Sequence, residues 1–90
     1  MKFTVEVEKT AQDHFQKIIK FGNKASLKKL KIILEELEIH PQTGTGNPEQ
    51  LKHNLSGLWS RRLNKKDRLI YEIFEESENL VVVISALGHY

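Results

Sequence analysis

Apolar and polar residues alternate at the start of the chain, with Phe3, Val5 and Val7 set against Lys2, Thr4, Glu6 and Glu8. A period of two predicts a half-buried strand. The period then lengthens. Ala11, Phe15, Ile18 and Ile19 fall on one helical face, opened by a capping-box arrangement of Thr10 and Asp13 and stopped by Gly22. Leu27, Leu30, Leu34 and Leu37 recur at three- and four-residue spacing and predict a second helix, with Lys28, Lys29, Lys31, Glu35, Glu36 and Glu38 toward water. Its basic residues come early and its acidic ones late, against the helix dipole, so packing of the leucine stripe must outweigh that term. His40-Pro41 ends the helix, and a loop rich in Gly, Pro, Thr and Asn runs to about Asn54.

The second half returns to a period of two. Trp59, Arg61 and Leu63 alternate with Leu58, Ser60 and Arg62. Asn64-Lys65-Lys66-Asp67 reads as a hairpin turn, Arg68 to Phe74 as the returning strand, Glu75 to Asn79 as another turn, and Leu80 to Leu87 as a last, strongly apolar strand. The order β-α-α-β-β-β predicts an α+β domain spanning residues 1–90. Two N-terminal helices pack on one face of a mainly antiparallel twisted sheet, and the other face stays open. With Trp59 and Leu63 under the helices, Arg62 points to the open face. Arg61 shares the parity of Trp59 and is the weaker surface candidate.

Charge sharpens this picture. The formal net charge is only +2, but it is segregated. Residues 40–71 hold Lys52, Arg61, Arg62, Lys65, Lys66 and Arg68 against Glu49 and Asp67, a balance of +4, while residues 72–90 hold only Glu72, Glu75, Glu76 and Glu78, a balance of −4. All three arginines lie in the middle segment, and a guanidinium suits forked phosphate contacts. A polyanion-binding face and a merely solvated surface both fit this composition. There is no cysteine, hence no disulfide framework or thiolate metal site. No His, Asp or Glu cluster has ligand spacing, so neither a metal nor a cofactor is expected. Gly44-Thr45-Gly46 lacks the Gly-Lys-Ser/Thr of a phosphate loop. No run approaches membrane-spanning length, and the alternating N-terminus is no signal sequence, so a cytoplasmic protein without membrane contact is expected.

One feature stands out at the chain end. His89 and Tyr90 follow the last strand with a single glycine between. Chain ends are commonly frayed, but an imidazole there is a natural proton donor or acceptor. The stretch Pro48-Glu49-Gln50-Leu51-Lys52-His53-Asn54-Leu55-Ser56-Gly57-Leu58-Trp59-Ser60-Arg61-Arg62-Leu63, continued by Asp67-Arg68-Leu69-Ile70-Tyr71 and closed by His89-Tyr90, resembles the Txe/YoeB family of toxins from type II toxin–antitoxin systems, within the RelE superfamily. The resemblance covers nearly the whole chain.

The resemblance implies a RelE-like microbial RNase fold and a ribosome-dependent mRNA endoribonuclease. Glu49 stands where the family has a general base, Arg68 where it has a cation, and His89 and Tyr90 where it has its terminal pair. Lys52 and Arg62 match supporting basic residues, and His53, Lys65, Lys66 and Arg61 are further RNA-contact candidates. The chemistry is coherent on its own terms. Metal-free RNA cleavage needs a base for the ribose 2′-hydroxyl, a cation for the phosphorane-like transition state and an acid for the leaving 5′-oxygen. Glu49, Arg68 and His89 supply one of each, and a 2′,3′-cyclic phosphate or 3′-phosphate would result. Singly, each has an ordinary reading: Glu49 as a loop carboxylate, Arg68 as a sheet-surface arginine, His53 as a loop stabiliser. Implied partners are the ribosome, mRNA and a cognate acidic antitoxin, with a homodimer among the assemblies to be considered. The competing class is a non-catalytic relative of the superfamily that inhibits a macromolecular target such as gyrase.

Overall fold

A computed structural model describes residues 2–75 and 78–88. Strand β1 (Thr4–Val7) is followed by helices α1 (Lys9–Phe21) and α2 (Lys24–Leu37), then strands β2 (Glu49–Gln50), β3 (Leu58–Arg62), β4 (Arg68–Phe74) and β5 (Leu80–Ser85), with a short 3₁₀ turn at His53–Leu55. The sheet order is β1-β5-β4-β3-β2. The β1–β5 pairing is parallel and the other three are antiparallel. The helix-then-meander order and the mainly antiparallel sheet follow the sequence pattern, with one addition. The loop predicted to run to Asn54 contains β2, two residues long and therefore without a readable alternation.

One face of the sheet carries the core. Leu69 and Tyr71 of β4, Val81 and Val83 of β5, and Leu63 pack with Ala11 and Ile18 of α1 and Leu30, Ile33 and Leu37 of α2. Trp59 lies partly buried against this cluster. Burying a large aliphatic side chain stabilises by about 1.5–3 kcal/mol, which is why the leucine stripe tolerates an unfavourable charge order along α2. Ile19 departs from its predicted face and is exposed. Gly22 does cap α1, but the N-cap is Glu8, without a side-chain hydrogen bond. The helix thus begins one residue before Thr10, because Glu8 is held from the other side: its N–H donates to Val83 O at 2.9 Å. Asn23 caps α2 by accepting from Ser26 N–H at 2.7 Å.

Candidate functional site

Pairing register places the chemistry. Glu49 lies opposite Ser60, and Arg62 lies opposite Arg68. Directly opposed residues share a face, and this is the face away from the helices. Arg68 Nη1 donates to Glu49 Oε1 at 3.2 Å and to Ser60 Oγ at 3.2 Å. The Arg68 side chain is 20% exposed and that of Glu49 52%. The edge strand β2 therefore brings Glu49 and Arg68 together across β3, with Ser60 between them as a support. Sequence reasoning gave Ser60 no role. Its parity with Arg62 was the available clue to its place on the open face.

Arg62 and Arg68 form a like-charge cross-strand pair, unfavourable by about 0.2–1 kcal/mol in such positions. One half-exposed carboxylate beside two guanidiniums leaves a local excess of positive charge. That excess suits a phosphate.

Residues 86–88 are fastened to the same corner. Between Ile70 and Tyr71 the β4–β5 register slips, their partners being Ser85 and Val83, so Ile84 is the extra residue of a bulge. Bulges end pairing and redirect the strand. Beyond this one, Ala86 and Leu87 donate their N–H groups to His14 Nδ1 at 3.0 and 3.3 Å. Gly88 N–H donates to Asp67 Oδ1 at 3.0 Å, and Gly88 O accepts from Arg68 N–H at 3.0 Å. The residue preceding His89 is thus bonded to the backbone of Arg68 itself. His89 and Tyr90 lie outside the described residues. His14 was invisible to sequence reasoning, because a single histidine on a helix carries no pattern.

Arg61 corrects the sequence expectation. It is no RNA contact: the residue is 0% exposed and turned beneath the sheet. Its guanidinium donates to Glu36 Oε1 at 2.6 Å, Thr45 O at 3.3 Å, His40 O at 2.9 Å and Thr43 O at 2.8 Å, and its Nε to the Tyr71 hydroxyl at 3.1 Å. Glu36, expected in water, is turned inward as the counter-ion. Its carboxylate also accepts from Thr45 N–H at 2.8 Å and Thr45 Oγ1 at 2.7 Å. Burial pushes the Tyr71 hydroxyl up, against the hydrogen bond and charge of Arg61, and it stays a neutral donor to Pro41 O at 2.8 Å.

Burial alone would raise the Glu36 carboxyl, but the two Thr45 hydrogen bonds and the Arg61 guanidinium outweigh it and hold the group below its ordinary 4.5. A folded-state value below the unfolded one means that the unfolded chain binds the proton first. The contribution is complete above about 4.5 and is lost as pH falls through the lowered value. Melting temperatures of the wild type should therefore drop more steeply than those of Glu36→Gln on acidification below about pH 5. Parallel curves for the two proteins would remove Glu36 as the source.

The remaining basic candidates are exposed. Lys65 and Lys66 occupy the β3–β4 hairpin, where Asn64 Oδ1 accepts from Lys66 N–H at 2.9 Å and Asp67 N–H at 2.8 Å. Their place just past the Arg62–Arg68 pair continues the positive edge. Lys52 and His53 follow β2. His53 adopts the left-handed backbone region, φ 62°, and its carbonyl accepts from Ser56 N–H at 3.1 Å. A non-glycine residue held in that region costs about 1–3 kcal/mol and persists only where its surroundings demand it. The demand here is the sharp turn that returns the chain from β2 to β3.

Among the described residues no group of three or more His, Asp or Glu side chains converges, and no helix is long and apolar enough to cross a membrane. A cavity of about 430 Å³ opens on the helix side, lined by Phe21, Asn23, Leu63, Lys66 and Leu87 among others, and touches none of Glu49, Ser60, Arg62 or Arg68. The carboxylate and guanidiniums sit instead on an open sheet surface, a shape for a polymer.

Known proteins share this architecture. Residues 8–90 match the family model described as a YoeB-like toxin of bacterial type II toxin–antitoxin system. A toxin YoeB of Synechocystis sp. is 40% identical over 69 residues, covering 77% of each chain. A toxin YoeB of Escherichia coli is 37% identical over 68 residues, 76% of this chain and 77% of its own. Among solved structures, the YoeB dimer from Staphylococcus aureus superimposes with a TM-score of 0.82 at 27% identity, and YoeB of the YoeB–YefM complex from the same organism with 0.79 at 28%, each covering 100% of both chains. The element order, the open face with its carboxylate and arginines, and these matches place the chain in the YoeB family of type II toxin–antitoxin toxins, within the RelE superfamily.

Proposed function

We propose that the toxin is a ribosome-dependent mRNA endoribonuclease working by metal-independent general acid–base chemistry. The observation that carries this reading is the meeting of Glu49 and Arg68 at 3.2 Å on the open face, with Gly88 bonded to the Arg68 backbone. Glu49 takes the proton of the ribose 2′-hydroxyl, and the freed oxygen attacks the adjacent phosphorus. Arg68 turns from Glu49 to the phosphoryl oxygens and stabilises the charge that develops there. His89 donates a proton to the departing 5′-oxygen. The bond made is 2′-O–P and the bond broken is P–O5′, so a 2′,3′-cyclic phosphate and a 5′-hydroxyl result. Tyr90 orients the nucleotide. Arg62, Lys52, Lys65, Lys66 and His53 hold the flanking phosphates and ribosomal RNA, each contact releasing counterions.

The same reading supplies partners. YoeB of Staphylococcus aureus has been solved both as a dimer and with YefM. This toxin pairs with a cognate acidic antitoxin in the cytoplasm, where the ribosome is, and the exposed positive face gives that antitoxin its electrostatic target. A homodimer is included among its free forms.

The test is end-group analysis of mRNA cut on programmed ribosomes by the purified toxin. The downstream fragment should accept phosphate from a polynucleotide kinase without prior dephosphorylation, and the upstream fragment should carry a cyclic or 3′-phosphate. A 5′-phosphate with a 3′-hydroxyl would overturn the mechanism. Intact mRNA would favour a non-catalytic inhibitor.

A further inference from the structure

The loop that delivers Glu49 has no regular structure from Pro41 to Pro48, yet it is fastened from beneath by one side chain. Three of its carbonyls or of those at its entrance, His40 O, Thr43 O and Thr45 O, accept from the two terminal nitrogens of Arg61. Glu36 holds the same guanidinium and, through two further bonds, both the backbone and the hydroxyl of Thr45. The next residue continues the fastening. Gly46 O accepts from Arg62 N–H at 2.7 Å. Gly46 has φ 87°, and a Cβ there would stand 2.8 Å from Arg62 O, so only glycine lets the loop lie this close to β3. Three residues separate Thr45 from Glu49, and one of them, Pro48, has its φ fixed by its ring. There is little slack between the clamp and the carboxylate.

A buried ion pair is a poor choice for stability alone, since apolar residues of equal volume commonly do as well or better. What an arginine offers is a rigid planar fork that reads several acceptors at defined angles. Lysine, a point charge on a flexible stem, cannot do this.

We propose that Arg61, Glu36 and Thr45 form a positioning clamp that sets where Glu49 stands relative to Arg68 and the RNA, so that the rate of cleavage depends on a charge pair that never touches substrate. The proposal rests on Glu49 being the base. The three are positioning residues, not catalytic ones.

Arg61→Ala would strand three carbonyls and unfold the loop, so the milder changes are informative. Thr45→Val keeps the shape and removes the hydroxyl that Glu36 accepts. Glu36→Gln keeps the acceptor and removes the charge. Thr45→Ser restores the hydroxyl. The measurement is single-turnover mRNA cleavage on programmed ribosomes, with toxin varied to saturation. Lost folding raises the toxin concentration that gives half the maximal rate and leaves the plateau unchanged. A displaced Glu49 lowers the plateau and leaves that concentration unchanged. Since an ångström of misplacement can cost about 10²-fold, a partial shift in Thr45→Val and Glu36→Gln should lower the plateau about tenfold, with Thr45→Ser back to within about twofold of wild type.

The same changes in a Glu49→Gln background should have no further effect, because the group they position is gone. Unchanged plateaus in Thr45→Val and Glu36→Gln overturn the clamp, as does an equal fall with and without Glu49. A wild-type plateau in Glu49→Gln alone overturns the base assignment instead, which separates the two failures.

Discussion

Replacing either Glu49 or Arg68 with alanine should reduce single-turnover cleavage of ribosome-bound mRNA by about 10²- to 10⁴-fold while the protein stays folded. In barrier terms that is roughly 3–5.5 kcal/mol. The pair's share in stability is far smaller. Glu49 is half exposed and Arg68 one-fifth exposed, and ion pairs in such positions contribute about 0–1 kcal/mol. Neither side chain belongs to the core on the helix face. Loss of activity with an unchanged melting temperature is thus the expected pair of results. Ser60→Ala should have a lesser effect, since Ser60 only supports the Arg68 guanidinium from below. Near-wild-type rates for both Glu49→Ala and Arg68→Ala would sink the assignment of base and cation.

The second large effect concerns the terminus. His89→Gln should abolish cleavage, because glutamine keeps a hydrogen-bond donor but transfers no proton near neutrality, whereas an imidazole titrates at about 6.5. Stability should be nearly unaffected. Among the described residues, 86–88 are held by His14, Asp67 and the Arg68 backbone, and none of these is changed. Deleting His89 and Tyr90 together should have the same outcome, with one difference. The new terminal carboxylate falls on Gly88, whose carbonyl accepts from the Arg68 backbone N–H, and adds a negative charge at that corner. The substitution is therefore the cleaner test of proton donation, and ribosome binding should stay nearly intact in both. Tyr90→Phe should cost less than either. Cleavage by His89→Gln at a comparable rate would move the acid elsewhere, with His53 the next residue to examine.

Much of this was legible in the sequence because the relevant forces are local. Strand and helix periods are set by which side chains must leave water together. The alternation around Trp59 and Leu63 was therefore enough to send Arg62 to the open face and to place Trp59 on the core side. The Arg68 to Phe74 strand and its hairpin could be read from turn chemistry, since Asn64 supplies an acceptor for the backbone two and three residues on. The motif from Pro48 to Leu63 and the terminal pair indicated the family.

What the sequence could not decide depends on partners distant along the chain. Glu36 read as an ordinary surface charge and Arg61 as the weaker RNA-contact candidate, with nothing to link the two. Only in the fold do they meet, 25 residues apart, and a charge is buried only where a counter-charge and enough acceptors already wait. The two-residue β2 was unreadable because a strand that short has no period, and pairing with β3 alone defines it. Register was the deciding quantity. Sliding β3 by a single residue against β4 would turn Arg62 inward and Arg61 out, and it is the cross-strand order Glu49–Ser60 and Arg62–Arg68 that turns four polar side chains from three strands into one site. The sequence by itself determined the periods of the elements, the family and the open-face direction of Arg62. Tertiary structure decided how they are held, because the hydrogen bonds that fix the loop before Glu49 and the tail after β5 come from a helix carboxylate, a buried guanidinium and a helix imidazole that no local pattern connects to them.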